Sequence, residues 1–416
     1  MVKDLSLTRF ENNLKVARID TLFTTKKVVF GCESITKISE EVKEYNPKKI
    51  FLVTDKNLLN IGLVDSILKP LEKEKIDITL HEVVSEPSVE SVSKAVEEVR
   101  KNKCDLVIGF GGGSSLDTAK TAAIMAKNND TIEKYLARLP NPFEDKFKEK
   151  GLPLILVPTT AGTGSENSAG AVIIDGQYKT WIASRFLYPD VAIVDPLLTV
   201  SVPAKTTASC AMDALSHAVE AFMVVALSNP WCDSFALEAI KLISKYLRKA
   251  YHNGNDLEAR WYLCWAAHLG GWTAQFTWGP ATVGHLTAEA IGPKYGIPHG
   301  LICGIALPYA MKFNLPAIPD RLKMIAVAMG ENVGELSEHE AAKKGIQSII
   351  RLMEDVDLPL SLKEVNIPRV DLHDLAEYIV KERQYLYDIP RLSPRKFTSE
   401  NIQGLLEDMW HGRYEI

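Results

Sequence analysis

No two cysteines in this chain stand at the C-x-x-C spacing of a redox hook or a zinc-thiolate site. Cys32, Cys104, Cys210, Cys232, Cys264 and Cys303 are scattered singly. That argues against a disulfide framework and for reduced thiols in a cytoplasmic protein. Long hydrophobic runs are also missing: stretches such as AFMVVAL fall far short of the roughly 20 residues that span a bilayer. The first residues, MVKDLSLTRFENNLKVARID, carry charges throughout and have no apolar centre, so no secretory leader is expected there. Neither sign of charge dominates. Lys and Arg total 48 against 53 Asp and Glu, a net charge of −5 without blocks, which speaks against a dedicated nucleic-acid or anionic-membrane surface. There is no internal repeat and no low-complexity tract.

What is present is a change of texture along 416 residues, of which 46% are hydrophobic, enough to fill two cores. Up to about residue 195, compact branched runs (49–55, 76–84, 105–113, 152–160 and 191–196) alternate with segments of helical period (88–103 and 115–128). This predicts an α/β amino-terminal domain with a mainly parallel sheet covered on both faces. Beyond Asp195-Pro196 the chain reads as Ala/Leu/Ile-rich helices to its end. The expected division is 1–195, a dinucleotide-binding α/β domain, and 196–416, an all-helical domain.

Two loops in the first part suit a phosphorylated ligand. GFGGGSSLDTAK (109–120) follows a strand and opens a helix, so Gly112, Gly113 and Ser114 bring backbone amides and a positive helix end together. It is neither a G-x-G-x-x-G fingerprint nor a P-loop, and a plain strand-to-helix turn capped by Ser114 is the competing reading. VPTTAGTGSENS (157–168), crowded with small hydroxyl residues, follows another strand end, where open α/β sheets bind ligands. Asp55, closing KIFLVTD, is placed to accept hydrogen bonds from a ribose, or to cap a helix.

In the second part, Asp213 and His217 stand four apart in AMDALSHAVEAF, His285 lies in TVGHLTAEAIG, and His299 lies in YGIPHGLICGIALP. Each sits in an almost wholly apolar stretch, where a carboxylate or imidazole needs a partner, a proton or a metal. Four-residue spacing on a helix puts two side chains on one face. A buried hydrogen-bonded pair would explain Asp213 and His217 alone. One carboxylate and three imidazoles together form a divalent-metal ligand set. Glu335/His339 and Glu407/His411 share the spacing in polar surroundings and are expected on solvated faces.

GFGGGSSLDTAK, VPTTAGTGSE, VAIVDP, MDALSHAVEAF, the H-x13-H from His285 to His299 and LSPRKFT, in this order, resemble the iron-dependent (group III) alcohol dehydrogenases across residues 25 to 416. The resemblance implies hydride transfer between a nicotinamide cofactor (NAD, with NADP as the alternative) and an alcohol or aldehyde. The alkoxide is then stabilised by Fe2+ or Zn2+ bound to Asp213, His217, His285 and His299. It further implies a homodimer or higher homo-oligomer with the site between the domains. Gly112, Gly113 and Ser114 take the pyrophosphate, and Thr159 and Thr160 lie beside the cofactor. Asp55 meets the ribose and Lys179 the nicotinamide ribose, and Asp117 and Lys120 belong to the glycine-rich motif. Phe276 falls where the family lines its substrate pocket, while His268 and Trp272 are expected in the core.

Two positions depart from the family. Glu289 stands where a further histidine commonly follows the third ligand, and Trp278, which the resemblance puts at the substrate pocket with Phe276, stands where relatives carry an asparagine. Glu289 is expected to hydrogen-bond a ligand or bound water near the ion; the alternative is an exposed glutamate. Rival readings are a dehydroquinate-synthase-like lyase, a glycerol-dehydrogenase-like or maleylacetate-reductase-like oxidoreductase, and a non-catalytic scaffold.

Overall fold

The structure is a computed structural model that describes residues 21–138, 144–176, 178–277, 282–382 and 393–414. The elements of the first part are β1 (Lys27–Phe30), α1 (Ile38–Lys43), β2 (Lys49–Asp55), α2 (Lys56–Asn60), α3 (Asp65–Lys73), β3 (Asp77–Val83), α4 (Val89–Lys101), β4 (Leu106–Gly111), α5 (Gly113–Met125), β5 (Leu154–Pro158), β6 (Gly170–Asp175), β7 (Tyr178–Ala183) and β8 (Val191–Val194). Helices follow: α6 (Ala204–Met223), α7 (Pro230–His252), α8 (Leu257–Thr277), α9 (Val283–Tyr295), α10 (His299–Asn314), α11 (Pro319–Ala328), α12 (Glu338–Asp355), α13 (Leu372–Glu382) and α14 (Ser399–His411).

Six strands form one sheet in the order β1-β8-β5-β4-β2-β3, and every pairing in it is parallel. The near-continuous apolar runs follow from coverage on both faces. Phe51, Val53, Val107, Leu154 and Leu156 pack with Ala95, Val99 and Leu116 of α4 and α5. Their sequence neighbours Ile50, Leu52, Leu106, Ile108 and Ile155 pack with Ile38, Ile67 and Leu71 of α1 and α3. This alternation is the period of two that a strand imposes. All five expected strands are present, and so are both expected helices. The additions are β1 and the antiparallel hairpin β6–β7, outside the sheet. Among the described residues no strand follows Val194, and no helix is long and apolar enough to cross a membrane.

The helical part has its own core, in which Met212, Leu215 and Val219 of α6 meet Ile302, Ile305 and Tyr309 of α10 and Val283, Leu286 and Ile291 of α9. The helix carrying His285 continues past Gly292 through Pro293 to Tyr295, and it stops at Gly296, whose φ of 65° is the left-handed turn glycine favours.

Candidate metal and cofactor site

Asp213 and His217 lie one turn apart on α6, His285 sits in the first turn of α9, and His299 is the first residue of α10. Asp213 Oδ1 lies 4.0 Å from His217 Nε2, 3.9 Å from His285 Nε2 and 3.8 Å from His299 Nε2. Those separations are too long for hydrogen bonds. Asp213 Oδ1 and His285 Nε2 are both buried and have no hydrogen-bond partner. The rings of His217 and His285 are stacked at 4.8 Å. A Cβ on Gly300 would lie 2.3 Å from the Ser209 carbonyl oxygen, so only glycine lets the start of α10 approach α6 closely enough to bring His299 to Asp213.

Two further groups belong to this cluster. Glu220, wholly buried two turns beyond Asp213, accepts from the His285 backbone N–H at 3.3 Å and meets His285 Nδ1 at 2.8 Å. In the neutral ring, Nδ1–H donating to the carboxylate turns the Nε2 lone pair toward Asp213. Gly284 makes room, since a Cβ there would fall 2.4 Å from Glu220 Oε1. Cys303, one turn along α10, has its sulfur 3.5 Å from His299 Nε2. Asp213, His285, His299 and Cys303 offer ligand atoms that all lie within 4.8 Å of one another. Glu220 has the same sequence signal as Asp213, a carboxylate in an apolar helix; Cys303 has none.

Burial governs the electrostatics. It lowers the His217 imidazole to about 4 against the pull of Asp213, and it lowers His299 well below its ordinary value. Burial acts on His285 in the same direction, but Cys303 and Glu220 outweigh it and raise that imidazole well above its usual range. The Glu220 carboxyl is raised by burial, with His285 opposing. Burial also pushes the Cys303 thiol up to about 12.

The nucleotide-side residues come together at the carboxyl ends of β2, β4 and β5. Gly112 caps α5 without any side-chain cap, Gly113 opens the helix, and Ser114 stands inside the first turn rather than at the cap. The first amides of α5 therefore face the loops instead of a capping hydroxyl. Thr159 N–H donates to the Gly111 carbonyl at 3.0 Å, and Thr160 Oγ1 lies 3.6 Å from where a Gly112 Cβ would be. Asp55 is a helix cap: Oδ1 accepts from the N–H groups of Asn57 and Leu58 at 2.9 and 3.1 Å. Its Oδ2 lies 3.3 Å from the place of a Cβ on Gly111, so the carboxylate also borders the glycine turn.

Asp117 and Lys120 hold the framework. Asp117 accepts from Ser165 Oγ at 2.6 Å and from Val172 N–H at 2.9 Å. The Lys120 ammonium donates to Ser168 O, Ser168 Oγ and Gly170 O, tying α5 to the hairpin, and burial lowers its pKa to about 8. Lys179 pairs with Glu86 at 2.9 Å.

A cavity of about 180 Å³ joins the halves, with Thr163, Ser165, Trp181, Asp213, His217, Glu289 and His299 in its wall. Gln275 lines it too, while its neighbour Phe276 packs on Trp272 at 5.6 Å. Glu289 is half-buried rather than exposed. Trp278 lies outside the described residues. His268 is a hydrogen-bonded core residue, meeting Glu166 at 3.0 Å and Asn167 at 3.0 Å.

Residues 25–196 match the family described as Iron-containing alcohol dehydrogenase, and residues 207–410 match the Fe-containing alcohol dehydrogenase family, C-terminal. The chain belongs to this family. This metal-dependent alcohol dehydrogenase is 39% identical over 383 residues to Long-chain-alcohol dehydrogenase 1 of Geobacillus thermodenitrificans, covering 92% of the chain and 94% of that relative. It is 33% identical to the NAD-dependent methanol dehydrogenase of Bacillus methanolicus, covering 91% of the chain and 97% of the relative. The crystal structure of a 1,3-propanediol oxidoreductase superposes with a TM-score of 0.87 at 31% identity, covering 94% of this alcohol dehydrogenase and all of that chain. These likenesses favour an alcohol dehydrogenase over a lyase of dehydroquinate-synthase type.

Proposed function

We propose that this enzyme oxidises small alcohols, or reduces the matching aldehydes or ketones, with NAD(H), using one divalent ion held by Asp213, His217, His285 and His299. The observation that supports this most is the carboxylate oxygen set within 4.0 Å of three imidazole nitrogens without hydrogen-bonding any of them. Such a set suits iron or zinc equally, since both accept imidazole and carboxylate. When bound, the ion supplies fixed positive charge at the substrate oxygen, and the nicotinamide takes or gives the hydride.

The chain's own residues do the rest. Glu220 fixes the His285 tautomer. The uncapped amides of α5 take the pyrophosphate with Thr159 and Thr160 beside it, and Lys179, steadied by Glu86, stands at the nicotinamide ribose. Leu286, Ala274 and Trp181 give the cavity an apolar wall that limits water around the reacting carbon. Six scattered cysteines without a disulfide among them suit a cytoplasmic enzyme, and we place the domain division at 195–196 and the assembly as a homo-oligomer on the family likeness.

The test is to reconstitute the protein with ferrous or zinc ion and offer short alcohols, diols, hydroxy acids and aldehydes with NAD(H) and NADP(H). Metal-dependent formation or consumption of the reduced nicotinamide is expected. A stoichiometrically loaded protein that turns over none of them, or that binds no ion, overturns the reading.

NAD is expected over NADP, because the Asp55 carboxylate beside the glycine turn repels a 2′-phosphate. Asp55→Asn keeps a good helix cap and removes the charge. It should raise the NADP-to-NAD ratio of kcat/KM by roughly tenfold without lowering Tm. A parent enzyme already using NADP at least as well as NAD leaves Asp55 as a cap alone.

A further inference from the structure

Around Asp213 the structure gathers one ligand atom more than the proposed metal site uses. Cys303 is fully buried on α10, one turn after His299 and on the same face, with its sulfur 3.5 Å from His299 Nε2. The described ligand atoms that all lie within 4.8 Å of one another are those of Asp213, His285, His299 and Cys303, a set that includes the sulfur and leaves His217 out. A tetrahedral ion with bonds of about 2.0 to 2.3 Å spaces its ligand atoms roughly 3.3 to 3.8 Å apart. Three edges of this set, at 3.5, 3.8 and 3.9 Å, come close to that spacing. Two of its atoms, Asp213 Oδ1 and His285 Nε2, are buried without a hydrogen bond. The sequence makes room for the sulfur as it does for the imidazole. Gly300 follows His299 and Gly304 follows Cys303, and a Cβ on Gly304 would lie 3.2 Å from Met212 Cβ, so both side chains leave α10 where it runs close against α6.

We propose that Cys303 completes a second ligand set, Asp213, His285, His299 and Cys303, which overlaps the first and is the one that zinc takes. The inference rests on the metal reading above and adds an ion preference to it. Imidazole and carboxylate suit ferrous ion and zinc alike, whereas a thiolate is a soft ligand that favours zinc. As the metal–sulfur bond forms, the thiol proton goes to solvent and the sulfur binds as thiolate. Nothing else in the site changes: Glu220 still holds His285 from behind, and His299 stays at the head of α10. The sulfur therefore tilts a site that is otherwise indifferent between the two ions, and it does so from a residue one helical turn away from a ligand that both sets share.

X-ray absorption at the zinc edge tests this on the parent protein loaded with one equivalent of zinc. One sulfur at about 2.3 Å is expected beside nitrogen and oxygen ligands at about 2.0 to 2.2 Å, and the sulfur should be missing from Cys303→Ser. The cobalt-loaded parent should likewise show a sulfur-to-cobalt charge-transfer absorption that Cys303→Ser lacks. Chelator competition under anaerobic conditions then gives the affinities for zinc and for ferrous ion. Cys303→Ser should lower the zinc-to-iron affinity ratio by on the order of tenfold. A ratio cancels any loss of metal that comes from a loosened fold. A zinc shell of nitrogen and oxygen alone, or a ratio unmoved by the substitution, overturns the sulfur ligand, makes Cys303 a core thiol hydrogen-bonded to the imidazoles, and leaves the metal reading standing. A parent protein that binds neither ion overturns both.

Discussion

Replacing His299 by alanine is expected to abolish stoichiometric metal binding and to lower kcat/KM by on the order of a thousandfold or more, about 4 kcal/mol of transition-state stabilisation. The protein should remain folded. His299 is the first residue of α10 and its side chain is 24% exposed toward the cavity, so truncation there opens no void in the helical core. Asp213 Oδ1 would then face two imidazoles, and an ion with so incomplete a ligand set dissociates readily. Metal content by elemental analysis, an unchanged far-ultraviolet spectrum and single-turnover kinetics decide the matter together. Full metal occupancy and parental rate in His299→Ala would remove the four-residue site.

Glu220→Gln carries the second-largest expected effect, a tenfold to hundredfold loss of metal affinity by analogy with other carboxylate–histidine–metal arrangements, about 1.4 to 2.7 kcal/mol. Glu220 touches neither substrate nor the proposed ion; it acts through His285, whose Nδ1 it meets at 2.8 Å. Glutamine keeps the volume and the backbone contact at His285 N–H while removing the charge that fixes the tautomer. Glu220→Ala adds a void next to Gly284 and should destabilise the fold as well. Competition against a chelator measures affinity directly. A Glu220→Gln enzyme with lower Tm but parental metal affinity would make the pair purely structural.

Most of the sheet was legible because its strands are unbroken apolar runs ended by glycine or proline turns, a pattern that coverage on both faces requires. β1 was not, since KVVF is four residues between charged and turn positions and becomes a strand only by pairing with β8, far along the chain. The hairpin β6–β7 escaped for a related reason: YKTWIA mixes polar and apolar residues, and its partner GAVIID pairs with it outside the sheet. In the site, the apolar surroundings of Asp213, His217, His285 and His299 were the signal, and the structure gathers all four. Glu220 shows the same signal, and His217 stands three residues before it, but only the packing of α9 on α6 reveals that it faces His285 Nδ1. Asp55 had two readings in the sequence, and the structure shows the cap directly.

The proposed ligands come from three separate helices, α6, α9 and α10. An ion gripping all of them is a cross-link between segments that the chain order keeps apart, and its binding energy is added to that of the folded state by mass action. At a free-ion concentration a hundred times Kd the gain is about 2.7 kcal/mol. Metal shortage would then do more than idle the enzyme. With that brace gone, the helical half would open more often and proteases would reach it sooner, so the supply of the ion would set how much of this protein survives as well as how fast each copy works.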